Sequence, residues 1–173
     1  MKELVILSGK GGTGKTSLTA SFASLAPDAV LADCDVDAAN LHLLLRPDVQ
    51  SREAFHAGRE AHVKSAVCCG CGRCAAACRF DAMSMTGPNE TAEVDPLGCE
   101  GCGVCAFVCP TGAIGFSDRM AGDVMISDTR RGPMAHARLL PGSDNSGKLV
   151  AHVRQAARRL AEQRACPLVL IDG

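Results

Sequence analysis

Eight of the eleven cysteines in this 173-residue chain fall into two copies of one spacing. These are Cys68-x2-Cys71-x2-Cys74-x3-Cys78 and Cys99-x2-Cys102-x2-Cys105-x3-Cys109, the second followed by Pro110. An iron-sulfur cubane needs one thiolate at each of four irons around a small volume. Three cysteines set two residues apart wrap one loop around three corners and leave the fourth to a distant residue. A zinc ribbon needs only paired knuckles, so the third and fourth cysteine of each frame would have no task. The pattern therefore reads as two 4Fe-4S sites. If each holds a 2+ core on four thiolates, the formal charge goes from -1 to about -5. Of the remaining cysteines, Cys34 and Cys166 read as small buried hydrophobes and Cys69 as a bystander in the first cysteine loop.

A second chemistry lies at the N-terminus, where the sequence GKGGTGKT spans Gly9, Lys10, Gly11, Gly12, Thr13, Gly14, Lys15 and Thr16, followed by Ser17. Glycines let backbone N-H groups close around phosphate oxygens. Lys15 supplies charge to the terminal phosphates, and the Thr16 hydroxyl can coordinate magnesium. Asp33 and Asp35 follow the second apolar run, and Asp172 follows the run of residues 168–171. Carboxylates at strand ends beside a phosphate loop are where a magnesium ion and an in-line water need oxygen partners. A polar strand end or helix cap is the alternative to that role for Asp33 and Asp35, and capping the helix that follows would satisfy Asp37 or Asn40.

These elements need a scaffold. Residues 3–8 read as a buried parallel strand, and 15–25 as a helix with Leu18, Phe22 and Leu25 on one stripe. Residues 29–32 make a second strand, and the polar stretch with His56, Gly58 and His62 reads as a linker. The two cysteine frames, each followed by a short apolar segment at 82–85 or 113–116, form an internal duplication. Beyond them, 124–127 and 134–140 flank a hairpin turn at 129–132. Residues 141–147 read as a loop, and a helix runs from Lys148 with Val150, Val153, Ala157 and Leu160 on its apolar stripe. Arg154, Arg158, Arg159 and Arg164 lie opposite that stripe and read as a solvated face. Residues 168–171 make a third buried strand. The five histidines share no metal spacing and receive no role.

GKGGTGKT, with its early Lys10, resembles the deviant phosphate loop of the MinD/ParA ATPases. The cysteine frames resemble those of two-cluster bacterial ferredoxins, although Arg79 stands after Cys78 where that pattern has proline. The run DCDVDAAN and the run NSGKLV at 145–150 complete a resemblance to MinD-superfamily ATPases carrying an inserted ferredoxin domain. It implies a partial doubly wound parallel-sheet α/β domain, residues 1–60 and 119–173, interrupted by an α+β ferredoxin domain at 61–118. It implies one cluster on Cys68, Cys71, Cys74 and Cys109, and the other on Cys99, Cys102, Cys105 and Cys78. It further implies binding of ATP with Mg2+, the ion lying near Thr16, Asp33 and Asp172, and a water oriented by Asp35. Lys10 would reach the partner's phosphates in an ATP-dependent homodimer. Three activities stay open. The first is an ATPase coupled to electron transfer or metallocofactor assembly through a redox or assembly partner. The others are a positioning switch with redox-sensing clusters and a ferredoxin-like carrier on a vestigial nucleotide fold.

The resemblance also implies an N-terminal fragment, because about 120 nucleotide-domain residues are few for a doubly wound sheet. ATP hydrolysis belongs to the complete fold. A net charge of -1 gives no footprint for nucleic acid, and no apolar run reaches the roughly 18 residues of a membrane span. The opening residues lack the zones of a signal peptide, which points to the reducing cytoplasm and against a disulfide scaffold.

Overall fold

Alternating apolar and small residues, interrupted by glycine-rich loops, give a mixed α/β chain. A computed structural model describes residues 1–173 apart from 11, 37, 87–89 and 144–145, and apart from the side chain of Ser146. The elements are β1 Lys2–Ile6, α1 Lys15–Leu25, β2 Ala29–Asp33, α2 Leu41–Leu45, β3 Asp48–Val63, α3 Arg73–Ala77 and β4 Met83–Thr86. They continue with β5 Thr91–Val94, α4 Val104–Phe107, β6 Ile114–Thr129, β7 Gly132–Leu139, α5 Ser146–Gln163 and β8 Leu168–Asp172. Two compact units result, Met1–Phe55 with Met120–Gly173, and His56–Arg119.

The first unit is organised by a sheet of order β1-β8-β2-β7-β6-β3. β1, β8, β2 and β7 are parallel, and β6 joins β7 in an antiparallel hairpin closed at Thr129 and Gly132. β2 is buried along its whole length, which suits an aliphatic strand between two neighbours. Successive side chains alternate between faces. Leu31, Met134 and Leu170 share one face with Ala23 of α1 and with Leu41 and Leu45 of α2. Glu3, level with Val169 in the pairing of β1 with β8, meets Arg154 and Arg158 of α5 on the other face. Helices thus cover both faces. α5 buries Leu149, Val153, Ala157 and Leu160, a stripe at the three- and four-residue spacing of a helix, with Leu149 in the place expected for Val150, which is half-buried.

The second unit carries α3, α4 and the antiparallel hairpin β4–β5, with Met83 opposite Val94. Its core gathers Ala61, Cys74, Ala82, Met83, Ala92, Cys99, Cys105 and Ile114.

Three local expectations change and a fourth is refined. β1 lies at the sheet edge, so Leu4 and Val5 are exposed and only Ile6 is buried, because β8 protects one side alone. On α1 the buried residues are Thr19 and Ala23, whereas Leu18 is 48% and Leu25 80% exposed. Small side chains at this contact let α1 approach β8 closely, and the apolar stripe faces away. The stretch read as a linker is the strand β3, a mostly polar strand whose buried residues are Phe55, Ala57 and Ala61. It takes the sheet edge opposite β1, a position where charged side chains suit a strand with one unpaired side. Arg154, Arg158, Arg159 and Arg164 are exposed as expected, and three of them are also paired. Arg154 and Arg158 bind Glu3, holding its carboxyl down to about 2 through hydrogen bonds from Arg158 first and then Arg154. Arg164 meets Asp128 at 3.0 Å.

Candidate functional sites

The two cysteine loops share one backbone solution. Wrapping three thiols around a centre within seven residues demands tight reversals, and glycines with positive φ provide them at equivalent places. Gly70 and Gly101 have φ of 66° and 59°, and Gly72 and Gly103 have φ of 70° and 88°. Gly72 and Gly103 cap α3 and α4, which carry the third cysteine of each frame inward. Cys74 and Cys105 are buried, and Cys71 and Cys102 are exposed. Burial raises the thiols of Cys74 and Cys105. Cys71 is lowered, first by the backbone N-H of Arg73 and then by the side chain of Cys69, and Cys109 is lowered first by the Thr111 hydroxyl. The Ala61 N-H donates to Cys99 Sγ at 3.5 Å and the Ala113 N-H to Cys109 Sγ at 3.3 Å.

The thiols line two small cavities. Cys68, Cys71, Cys74 and Cys109 line the first, together with Cys69, Val63, Met85 and Ile114. Cys99, Cys102, Cys105 and Cys78 line the second, with Glu100, Phe80, Val104 and Phe116. Among the described residues, no group of three or more His, Cys, Asp or Glu side chains converges as ligands of a single ion would. Four thiols around an apolar chamber fit a cubane, which holds its ligands farther apart than one metal ion does.

In the first unit, the loop between β1 and α1 opens onto a cavity of about 870 Å³, lined by Lys10, Thr13, Lys15, Thr16, Asp35 and Asn40 among others. Gly14, at φ 84°, caps α1 and turns the chain so that Lys15 begins the helix. Lys15 Nζ donates to Asp172 Oδ1 at 2.7 Å and lies 3.2 Å from Asp35 Oδ2. Burial opposes its charge, but the bonds to Asp172 and Asp35 prevail and hold the amine above the ordinary lysine range. Asp172 Oδ2 is buried with no hydrogen-bond partner among the described residues, a free acceptor of the kind a hydrated cation can use.

Asp33 lies deeper. Its Oδ1 accepts from the Asp35 N-H at 3.3 Å and its Oδ2 from the Leu41 N-H at 3.2 Å, so it holds the loop that carries Asp35. Burial, then the neighbouring Asp172 carboxylate, pushes its carboxyl up to about 7. Asn40 stands at the start of α2 without capping it through its side chain. Gly11, Asp37 and Asn145 of the sequence motifs lie outside the described residues. Lys10 and Lys148 are exposed. The buried Cys34 is raised to about 11, mainly by burial.

Comparison with known proteins separates the two regions. Residues 61–116 match the 4Fe-4S dicluster domain family. This part of the chain is a ferredoxin-type domain. It suggests an iron-sulfur electron carrier. Over 175 aligned positions the chain is 33% identical to a protein of Methanocaldococcus jannaschii described as uncharacterized, covering 99% of this chain. The chain spans 59% of that relative's length. No helix among the described residues is long and apolar enough to cross a membrane.

Two residues around these sites carry no sequence signal of their own. Thr19 is fully buried, with its hydroxyl 3.1 Å from Asp172 Oδ1; its position one helical turn after Lys15 is the only clue. Cys69 lines the first chamber of the dicluster domain with four other thiols, although its place between two ligand positions reads as incidental.

Proposed function

We propose that this chain is an ATP-binding iron-sulfur protein, in which nucleotide-dependent dimerisation is coupled to electron transfer or to metallocofactor assembly. The observation that carries this reading is Lys15 at the mouth of an 870 Å³ cavity, facing Asp35 and Asp172 from the loop that links a parallel strand to a helix. Backbone N-H groups of the glycine loop would surround phosphate oxygens, and Lys15 would neutralise the terminal phosphates. Thr16 and Asp172 would hold Mg2+ with Asp33 behind them, and Asp35 would orient water. Lys10, exposed beside the cavity, would reach the second copy's phosphates. In the dicluster domain, Cys68, Cys71, Cys74 and Cys109 would hold one cluster, and Cys99, Cys102, Cys105 and Cys78 the other. When bound, the clusters supply one-electron chemistry.

The second reading, an electron carrier on a nucleotide-type fold without turnover, is favoured by a family match confined to residues 61–116. Calorimetry with Mg-ATP separates the two. The ATPase reading expects saturable binding that falls at least about tenfold in Lys15→Ala, a charge-assisted contact being lost. It also expects an ATP-induced dimer by light scattering that is lost in Lys10→Ala. No heat and no dimer in the wild-type chain, with reversible cluster reduction intact, would leave the carrier.

A further inference from the structure

The two cysteine chambers share glycine turns at equivalent places and differ in their number of sulfurs. The position after the first cysteine of each frame lines its chamber in both halves; it is Cys69 in the first and Glu100 in the second. The first chamber therefore has five thiols, Cys68, Cys69, Cys71, Cys74 and Cys109, where a cubane takes four. We propose that Cys69 is a reserve ligand of the first cluster, able to replace Cys71 at its iron. This rests on the dicluster domain and is independent of nucleotide binding.

Two observations select Cys71 as the ligand replaced. Cys69 and Cys71 are both exposed, while Cys74 is buried and Cys68 partly buried, so a change of ligand there disturbs no packed core. Gly70, between them, has φ of 66°, and a residue without Cβ can swing either neighbour toward the chamber. The step balances without an oxidant or reductant. The iron bond to Cys71 Sγ breaks, a bond to Cys69 Sγ forms, and the thiol proton of Cys69 passes to Cys71. Glu100 in the second frame supplies a carboxylate and no thiol, so the second cluster lacks this reserve. Its consequence is resistance at the exposed corner. Oxidation or alkylation of Cys71, which the chain leaves open to solvent, need not empty the first site.

The experiment compares equivalent corners in protein purified anaerobically with its clusters. Cys71→Ala is expected to keep roughly eight iron per chain, while Cys102→Ala loses about one to four. The double variant Cys69→Ala/Cys71→Ala should then lose as much as Cys102→Ala. In Cys71→Ala, Cys69 should resist iodoacetamide by mass spectrometry, whereas in the wild-type protein it should be modified. If Cys71→Ala loses iron as the double variant does, or if its Cys69 is alkylated while the iron stays, the proposal fails. Should Cys71→Ala not fold, the transplant decides. Glu100→Cys added to Cys102→Ala should restore iron to the wild-type level and remove any EPR signal of an incomplete cluster, and unrestored iron overturns the proposal.

Discussion

In the unit formed by residues 1–55 and 120–173, the fully buried side chains include Leu31, Leu41, Leu45, Met134, Leu149 and Leu170. In the unit of residues 56–119, three of the eight buried core residues are cysteines and three are alanines; Met83 and Ile114 are the large ones among them, with Phe80, Met85 and Phe116 partly buried against the cluster. A small unit with so little apolar volume sits where metals or cross-links usually supply the missing stability. The first unit holds its site by burying hydrocarbon. The second places thiols where the first places leucines.

Removal of iron is the strongest way to break that comparison. Stripping the clusters with an anaerobic chelator should abolish amide exchange protection across residues 56–119, because ligand binding there is folding free energy. Protection of β2, β8 and α5 should persist. Equal loss in both units would remove the distinction.

The next effect sharpens the comparison within the second unit. A Cβ on Gly101 would lie 2.2 Å from the Arg59 carbonyl oxygen, whereas one on Gly103 would meet nothing within 4 Å. Gly101→Ala should cost more than about 3 kcal/mol and roughly halve bound iron, while Gly103→Ala should cost only about 1–2 kcal/mol of backbone strain. Iron and sulfide analysis checks the pair, and matching losses would point to a loop more pliant than the contact with Arg59 allows.

The smallest effect belongs to the first unit. His136 is buried on β7, with Nε2 2.8 Å from Ser127 Oγ, and burial lowers its pKa from 6.5 to about 4. The unfolded chain takes up the proton near pH 6.5 and the folded one only near pH 4. Stability from neutral His136 is therefore full above 6.5 and is lost progressively as pH falls through that window, by up to about 3 kcal/mol. In His136→Gln, thermal unfolding of the first unit should lose that slope; an unchanged slope would assign it elsewhere.

Much of this architecture is written in local pattern. The helix over 15–25 follows from a glycine turn and a run without proline, and the strand over 29–32 from four aliphatic or small residues in succession. The cysteine spacing identifies both chambers, because ligand geometry constrains sequence directly. What was not legible depends on neighbours far along the chain. The stripe Leu18, Phe22 and Leu25 is a real periodicity, yet only the packing of α1 on β8 decides that Thr19 and Ala23 turn inward. Polar β3 carries too few apolar residues to look like a strand, since its order comes from β6 beside it. The pairing of Arg154 and Arg158 with Glu3 joins residues about 150 positions apart.

The contacts of Lys15 set a rule of charge for whatever enters its cavity. One ammonium facing Asp35 and Asp172 leaves the trio with an excess negative charge. An anion that enters must compete for the Lys15 ammonium with two carboxylates already in place. A polyanion that brings its own divalent cation meets a different balance: the anion takes the lysine and the cation takes the carboxylates. Such a ligand would exchange the existing ion pairs for two new ones, an exchange that a simple anion alone has no cation to complete.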